Sequence, residues 1–172
     1  ALVTCQAFAL TPSERRRDPV LLTATALWPS DDAQIVDLAK QIVGEHKLVR
    51  DKAQAILDWL LPGVNLRFGG DVTGSRYGVK QVLQQRFGHC WDFSDCFVTL
   101  CRAAGVPARQ VAGWLFQQSG HVWAEVLLEG EGWWQVDPTA GIACWTDHIP
   151  YLVSEDGRGS LVYASAVQID SL

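Results

Sequence analysis

Apolar positions along the chain follow a helical period first and a strand period afterwards. Ile35, Leu38, Ala39, Ile42 and Val43 share one face of a 3.6-residue period, so they predict an amphipathic helix. Ser30-Asp31-Asp32 supplies its N-terminal signal and Gly44 its stop. A second helix is expected from near Leu48, with Ala53, Ile56, Leu57 and Leu60 inward and Pro62-Gly63 ending it. Ile56, Trp59 and Leu60 read as core. A short helix over Val79 to Arg86 leads to a tight turn at Gly88-His89-Cys90. Phe93, Phe97, Leu100 and Ala104 then mark a buried helix that Gly105-Val106-Pro107 stops.

From there the period falls to two. Ala108 to Leu115 reads as a strand with Arg109, Val111 and Gly113 on one side. In the next strand Val122, Ala124, Val126 and Leu128 form an apolar core face, and His121, Trp123, Glu125 and Leu127 take the other. Glu129-Gly130-Glu131-Gly132 is a hairpin turn, and Trp133 to Val136 the return strand, closed by Asp137-Pro138-Thr139. Leu161 to Ile169 reads as a last strand. The remaining stretches are less committed. Ala1 to Leu10 has weak alternation and reads as a possible strand, Val20 to Leu27 as a strand or an extended segment, and Val64 to Phe68 as a short strand. The whole predicts an α+β fold, with N-terminal helices and a central helix packed on an antiparallel sheet. One catalytic domain is expected over residues 1–172, residues 1–30 being a peripheral strand or extended segment.

Composition narrows the function classes. The 172 residues are 48% hydrophobic and 19% charged, which argues for a packed core rather than disorder. Net charge is −5, and Arg15-Arg16-Arg17 is the one tight basic run, so no nucleic-acid surface is expected. No apolar run approaches the ~20 residues of a membrane helix, so no membrane partner is expected either. The chain starts at Ala1 and contains no Met, which leaves a removed signal peptide and the compartment open. Five cysteines, Cys5, Cys90, Cys96, Cys101 and Cys144, include no C-x-x-C. His46, His89, His121 and His148 show no zinc spacing, so no metal and no cofactor are expected.

Three polar residues stand out against this background. Cys90 opens the central helix, where unpaired N–H groups and the peptide dipoles favour an anion and lower a thiol pKa. His121 begins a strand on the face away from the core, and Asp137 ends the neighbouring one. The hairpin places both at one open end of the sheet, as cross-strand neighbours. A thiol nucleophile needs this set: an imidazole to hold its proton and a carboxylate to fix the imidazole's tautomer. Each residue has an ordinary alternative. Cys90 could be a packing cysteine, His121 a surface or core histidine and Asp137 a turn former before Pro138. His89 is a rival base, although neighbours on a turn point apart.

Gly88-His89-Cys90-Trp91-Asp92-Phe93-Ser94, Gly105-Val106-Pro107-Ala108-Arg109, His121-Val122-Trp123-Ala124-Glu125 and Gly132-Trp133-Trp134-Gln135-Val136-Asp137-Pro138-Thr139 together resemble the transglutaminase-like superfamily in order and spacing. The resemblance covers roughly Ala33 to Gly141. It implies a papain-like thiol enzyme with Cys90 as nucleophile, His121 as general base and acid, and Asp137 as the orienting carboxylate. It further implies acyl transfer from a peptide or protein amide through a thioester, resolved by an amine or by water. A plain cysteine protease or amidase, and a binding domain that kept the fold, are the alternatives. The Cys90 backbone N–H is expected in the oxyanion hole. Tyr77 is the nearest aromatic upstream for a second donor, and Trp91, Trp123, Trp133 and Trp134 are candidate cleft walls, packing being the rival reading for them. Asp92 and Glu125 read as structural hydrogen-bonding residues. Animal members carry Gln where His89 stands, and their calcium sites are not expected in this chain.

Overall fold

The computed structural model describes residues 19–70, 76–115, 120–143 and 148–159. The possible strands at Ala1–Leu10 and Leu161–Ile169 lie outside them. Helices α1 (Ala33–Val43) and α2 (Val49–Leu60) form where the apolar period places them. Asp32 caps α1, its carboxylate accepting from the Gln34 and Ile35 N–H groups, and Gly44 ends it at φ 49°. Strand β1 (Arg67–Phe68) pairs in parallel with β2 (Phe87–Gly88), on either side of helix α3 (Val79–Gln85). Helix α4 (Cys90–Ala103) then runs through the molecule and meets α1, α2, α3, and the sheet.

The central helix is more buried than one apolar face required. Every residue from Trp91 to Arg102 is buried, including Asp92, Ser94, Asp95, Thr99 and Arg102. Helices cover one side of it and the sheet the other, so its polar residues need partners from both. Ser94 Oγ donates to Trp123 O at 2.8 Å. Arg102 donates to Ala108 O, Thr23 O and Glu155 O, and its guanidinium lies over the Trp28 ring at 4.6 Å. One side chain thus ties the helix C-terminus to three other segments, a use that suits the planar fork of arginine.

Among the described residues the sheet has five strands in the order β6-β5-β4-β3-β7, all antiparallel. They are β3 (Ala108–Leu115), β4 (Gly120–Leu128), β5 (Gly132–Asp137), β6 (Ile142–Ala143) and β7 (His148–Ser154). β3 has the limits that the sequence predicts. β7 is an addition, pairing with the outer side of β3 from Gln110↔Ser154 to Leu115↔His148. Among the described residues β7 is an edge strand of this sheet, a place where Pro150 is tolerated. The core lies between α4, the other helices and one sheet face, and includes Phe93, Phe97, Leu100, Ala124, Val126 and Val136.

Two sequence expectations change. Gly88-His89-Cys90 is not a tight turn: Gly88 lies in β2, and His89 is extended at φ −110°, ψ −169°. Gly88 is there for space, since a Cβ on it would come within 2.6 Å of Asp92 Cβ. Val20 to Leu27 is neither strand nor simply extended. It opens with a 3-10 turn over Pro19–Leu22 that buries Leu21.

Candidate active site

Four chain segments converge at one end of the sheet: the end of β3, the start of β4, the end of β5 and the start of β7. Cys90, half-buried with a free thiol, opens α4. Asp92 locks this helix start. Its Oδ2 accepts the His89 N–H at 3.0 Å and its Oδ1 the Tyr77 N–H at 2.8 Å. The Cys90 thiol is thereby set on a braced N-terminus, where the dipole and backbone N–H groups favour negative charge. Burial is the main influence on the Asp92 carboxyl and pushes it up, against those two backbone donors.

Gly88→Ala tests this brace. The added methyl meets Asp92 Cβ at 2.6 Å on the helix itself, so the cap must give way. Overpacking of this kind costs about 1–3 kcal/mol. The expected result is a lower thermal midpoint together with slower alkylation of Cys90, read by calorimetry and by peptide mass spectrometry.

His121 and Asp137 are buried and joined by a hydrogen bond from His121 Nε2 to Asp137 Oδ2 at 2.7 Å. The hairpin register differs from the expected one. The β4–β5 ladder runs from Leu128↔Gly132 to Ala124↔Val136, which places Asp137 level with Trp123 rather than with His121. His121 therefore reaches Asp137 along the diagonal of one sheet face, within the range of a long side chain. The other carboxylate oxygen, Oδ1, accepts from Thr139 N at 2.8 Å and Thr139 Oγ1 at 2.7 Å.

Burial works against charge on His121, yet hydrogen bonds to Asp137 and Cys90 carry its pKa up to about 9. With Nε2 committed to Asp137, Nδ1 is the nitrogen left for the thiol. Burial likewise opposes charge on Asp137, but donors from His121, His148 and Thr139 hold the carboxyl well below the usual carboxylate range. The imidazole is thus favoured as a cation between a thiol and a carboxylate that stays ionised. Cys96 and Cys101 are fully buried, and burial pushes both thiols well up. They are packing residues.

The structure joins Cys90, His121 and Asp137 by hydrogen bonds and stacks Trp123 on His121, whereas Trp133 and Trp134 lie at the turn end of β5, away from Asp137, and are not brought to the site. Tyr77 packs edge-on to Phe87 at 5.8 Å and touches the helix start through its backbone N–H. Trp91 is buried with Ala112 and Val122, and Arg76 lies over its ring at 4.6 Å. Trp123 is fully enclosed and stacked on His121, at 6.2 Å between ring centroids. Trp133 lies under Arg109 at 3.6 Å, and Arg50 lies over Trp134 at 5.1 Å. Glu125 pairs with Arg109 at 2.7 Å, and Asp92 serves the helix cap, so both have structural hydrogen bonds. The rival base, His89, is the N-cap residue of α4, with its ring edge-on to Phe68.

His148 is the residue that sequence reasoning missed. Its Nε2 lies 3.3 Å from Asp137 Oδ2, the same oxygen that His121 uses. Ligand atoms of His121, Asp137 and His148 all lie within 4.8 Å of one another, so this trio could hold a cation. No local spacing signals this, because His121, Asp137 and His148 come from three different strands.

A cysteine at the head of a central helix, with a histidine–carboxylate pair on an antiparallel sheet, belongs to the papain-like class of folds. Within that class, the model of the transglutaminase-like superfamily matches residues 36–138, and the chain belongs to that superfamily. A cysteine-protease candidate from Cytophaga hutchinsonii superposes with a TM-score of 0.69 at 26% identity, over 79% of this chain and 46% of that one. A peptide-N(4)-(N-acetyl-beta-glucosaminyl)asparagine amidase of Drosophila melanogaster is 33% identical over 85 residues, 44% of this chain and 13% of the relative. A protein-glutamine gamma-glutamyltransferase of Pseudomonas aeruginosa is 34% identical over 80 residues, 38% of this chain and 12% of the relative. The chain thus spans a small part of these two curated relatives.

Proposed function

We propose that this protein is a cysteine-dependent enzyme that transfers or hydrolyses acyl groups of peptide or protein amides through a thioester. The observation that carries the reading is the hydrogen-bonded series Cys90–His121–Asp137 at the head of α4. The Cys90 thiolate attacks the amide carbonyl carbon, and the oxyanion forms beside the Cys90 backbone N–H. The C–N bond breaks as His121 gives its Nδ1 proton to the departing nitrogen, leaving the acyl group on sulfur. An amine or water then attacks the thioester. His121 takes that nucleophile's proton, and the thiolate leaves. Asp137 accepts from Nε2–H throughout and keeps Nδ1 directed at sulfur.

Relatives of this domain include a glutamyltransferase, an amidase and a cysteine-protease candidate, so amine and water are both chemically supported acceptors. Incubation with a Gln-containing peptide, with and without a primary amine, separates them. Mass spectrometry would show a conjugate for transfer, and Glu or a cleaved peptide for hydrolysis. Absence of all three across a panel of Gln, Asn and peptide-bond substrates would leave a binding domain as the surviving reading.

The raised pKa of His121 sets an expected pH profile. The proton that must reach the leaving nitrogen is held at neutral pH and lost as pH rises through about 9. Acylation, read as kcat/KM, should therefore fall on an alkaline limb near that value. The sign for stability is the same. A folded pKa above the ordinary 6.5 gives stabilisation that is complete below that value and lost as pH rises through about 9. Denaturant unfolding across the alkaline range checks the second half.

A further inference from the structure

We infer that His148 is a positioning residue for the site: its Nε2–H, donated to Asp137 Oδ2, holds the carboxylate in the orientation that aligns His121 on Cys90. The inference rests on the proposed roles of Cys90, His121 and Asp137, and extends them to a residue on another strand.

The carboxylate of Asp137 is saturated. Oδ1 accepts two hydrogen bonds from Thr139, and Oδ2 accepts one each from His121 and His148. An ionised carboxylate offers about four lone-pair sites, and here each is met by a donor. The two imidazoles approach one oxygen at unequal distances, 2.7 Å for His121 and 3.3 Å for His148. His121 takes the stronger bond. His148 occupies the remaining lone pair of that oxygen, so a swing of the carboxylate away from His121 must also break its bond to His148. A carboxylate so engaged is also a poorer proton acceptor, which keeps the proton on His121 instead of moving it to Asp137.

Packing fixes His148 in this place. Its side chain is about 5% exposed. Its ring stands edge-on to Trp123 at 4.9 Å and to His121 at 5.7 Å, while Trp123 lies nearly parallel to His121. The indole can cross to this position because Gly113 on β3 has no side chain. A Cβ there would lie 2.4 Å from Trp123 Cη2 and 2.3 Å from Ile149 O. The backbone next to His148, the indole and Gly113 thus interlock. β7 delivers His148 through the Leu115↔His148 pair at the end of β3. Among the described residues, His121 from β4 and Asp137 from β5 are ionisable groups that meet His148, and Cys90 from α4 is linked to it through His121.

The test needs no amide substrate. The rate of iodoacetamide labelling of Cys90 is followed across pH by peptide mass spectrometry in the wild type, His148→Phe, His148→Gln and His148→Ala. Phe keeps the ring and removes the donor; Gln keeps a donor at the reach of Nε2. The expected result is labelling about tenfold slower near pH 6 in the Phe and Ala variants, the scale of one hydrogen bond to a charged group. The Gln variant should return to within about threefold of the wild type. Circular dichroism confirms that each variant is folded, and should Ala fail to fold, Phe against Gln still decides. Unchanged labelling in Phe, or a Gln variant as slow as Phe, overturns the inference. Because the assay reports only Cys90, a failure to turn over any amide would refute the proposed function and leave this result standing.

Discussion

His121→Ala should reduce amide turnover by about a thousandfold, within the range for loss of a positioned acid–base group. It should also abolish labelling of Cys90 near pH 6. Both losses have one source. The imidazole is hydrogen-bonded to the thiol on one side and to Asp137 on the other, and its raised pKa keeps it a cation. Without it, the helix dipole is the main local support for negative sulfur, and a helix terminus alone is worth only about 0.3–1 kcal/mol. Cys96 and Cys101 cannot supply the signal instead, since both are fully buried with raised pKa values. His89→Ala is the control. His89 caps α4 and packs on Phe68, so its loss should alter stability more than low-pH labelling. Retained low-pH labelling in His121→Ala, with loss in His89→Ala, would move the base to His89. Asp137→Ala should fall between wild type and His121→Ala, because the carboxylate acts through the imidazole rather than on the substrate.

The parts of this site that could be read in the sequence are those carried by local signals. Cys90 lies at the start of a helix whose apolar period is explicit, and His121 and Asp137 lie on strands whose alternation and turns are explicit. The order of short motifs tied them together. What escaped depends on register and on distant pairings. His121 lies seven residues before Leu128 and Asp137 four after Trp133, so the two are offset along the ladder and meet on the diagonal instead of level. Gly88-His89-Cys90 reads as a tight turn in the sequence, whereas Gly88 serves to leave room for Asp92. β7 was hidden because Pro150 interrupts a run that otherwise reads as a strand, and its place beside β3 is a tertiary fact. His148 went with it. The buried polar face of α4 was invisible for a similar reason, since its partners are supplied by segments far away in the chain.

That buried polar face carries the second large expectation: Asp95→Ala should destabilise the protein by about 3 kcal/mol. Asp95 is 1% exposed in the middle of α4. Its carboxylate accepts from Trp28 Nε1 at 2.7 Å, Gln110 Nε2 at 2.9 Å and the Arg76 guanidinium at 2.5 Å through both Nε and Nη2. Removing it strands an indole N–H that is fully buried and leaves the Arg76 charge without its carboxylate. For a domain of this size the thermal midpoint should fall by about 6–12 °C. The pair itself is a weaker source of stability than its contacts suggest. Burial pushes the Asp95 carboxyl up, outweighing the donors from Arg76, Trp28 and Gln110. Arg76→Ala should therefore cost less than Asp95→Ala, because the orphaned carboxyl can take a proton. The sign of its pH dependence follows. A folded pKa above the ordinary carboxylate value favours the folded state more as pH falls, so the deficit of Arg76→Ala should shrink in mild acid. That of Asp95→Ala, which has no carboxyl to protonate, should not shrink in this way. Calorimetry of both variants at neutral and mildly acidic pH reads the difference. Equal and pH-independent losses would overturn this, since they would mean that the Asp95 carboxylate stays charged without Arg76 and that the pair carries the whole effect; no loss in Arg76→Ala would mean that Asp95 acts through Trp28 and Gln110 alone.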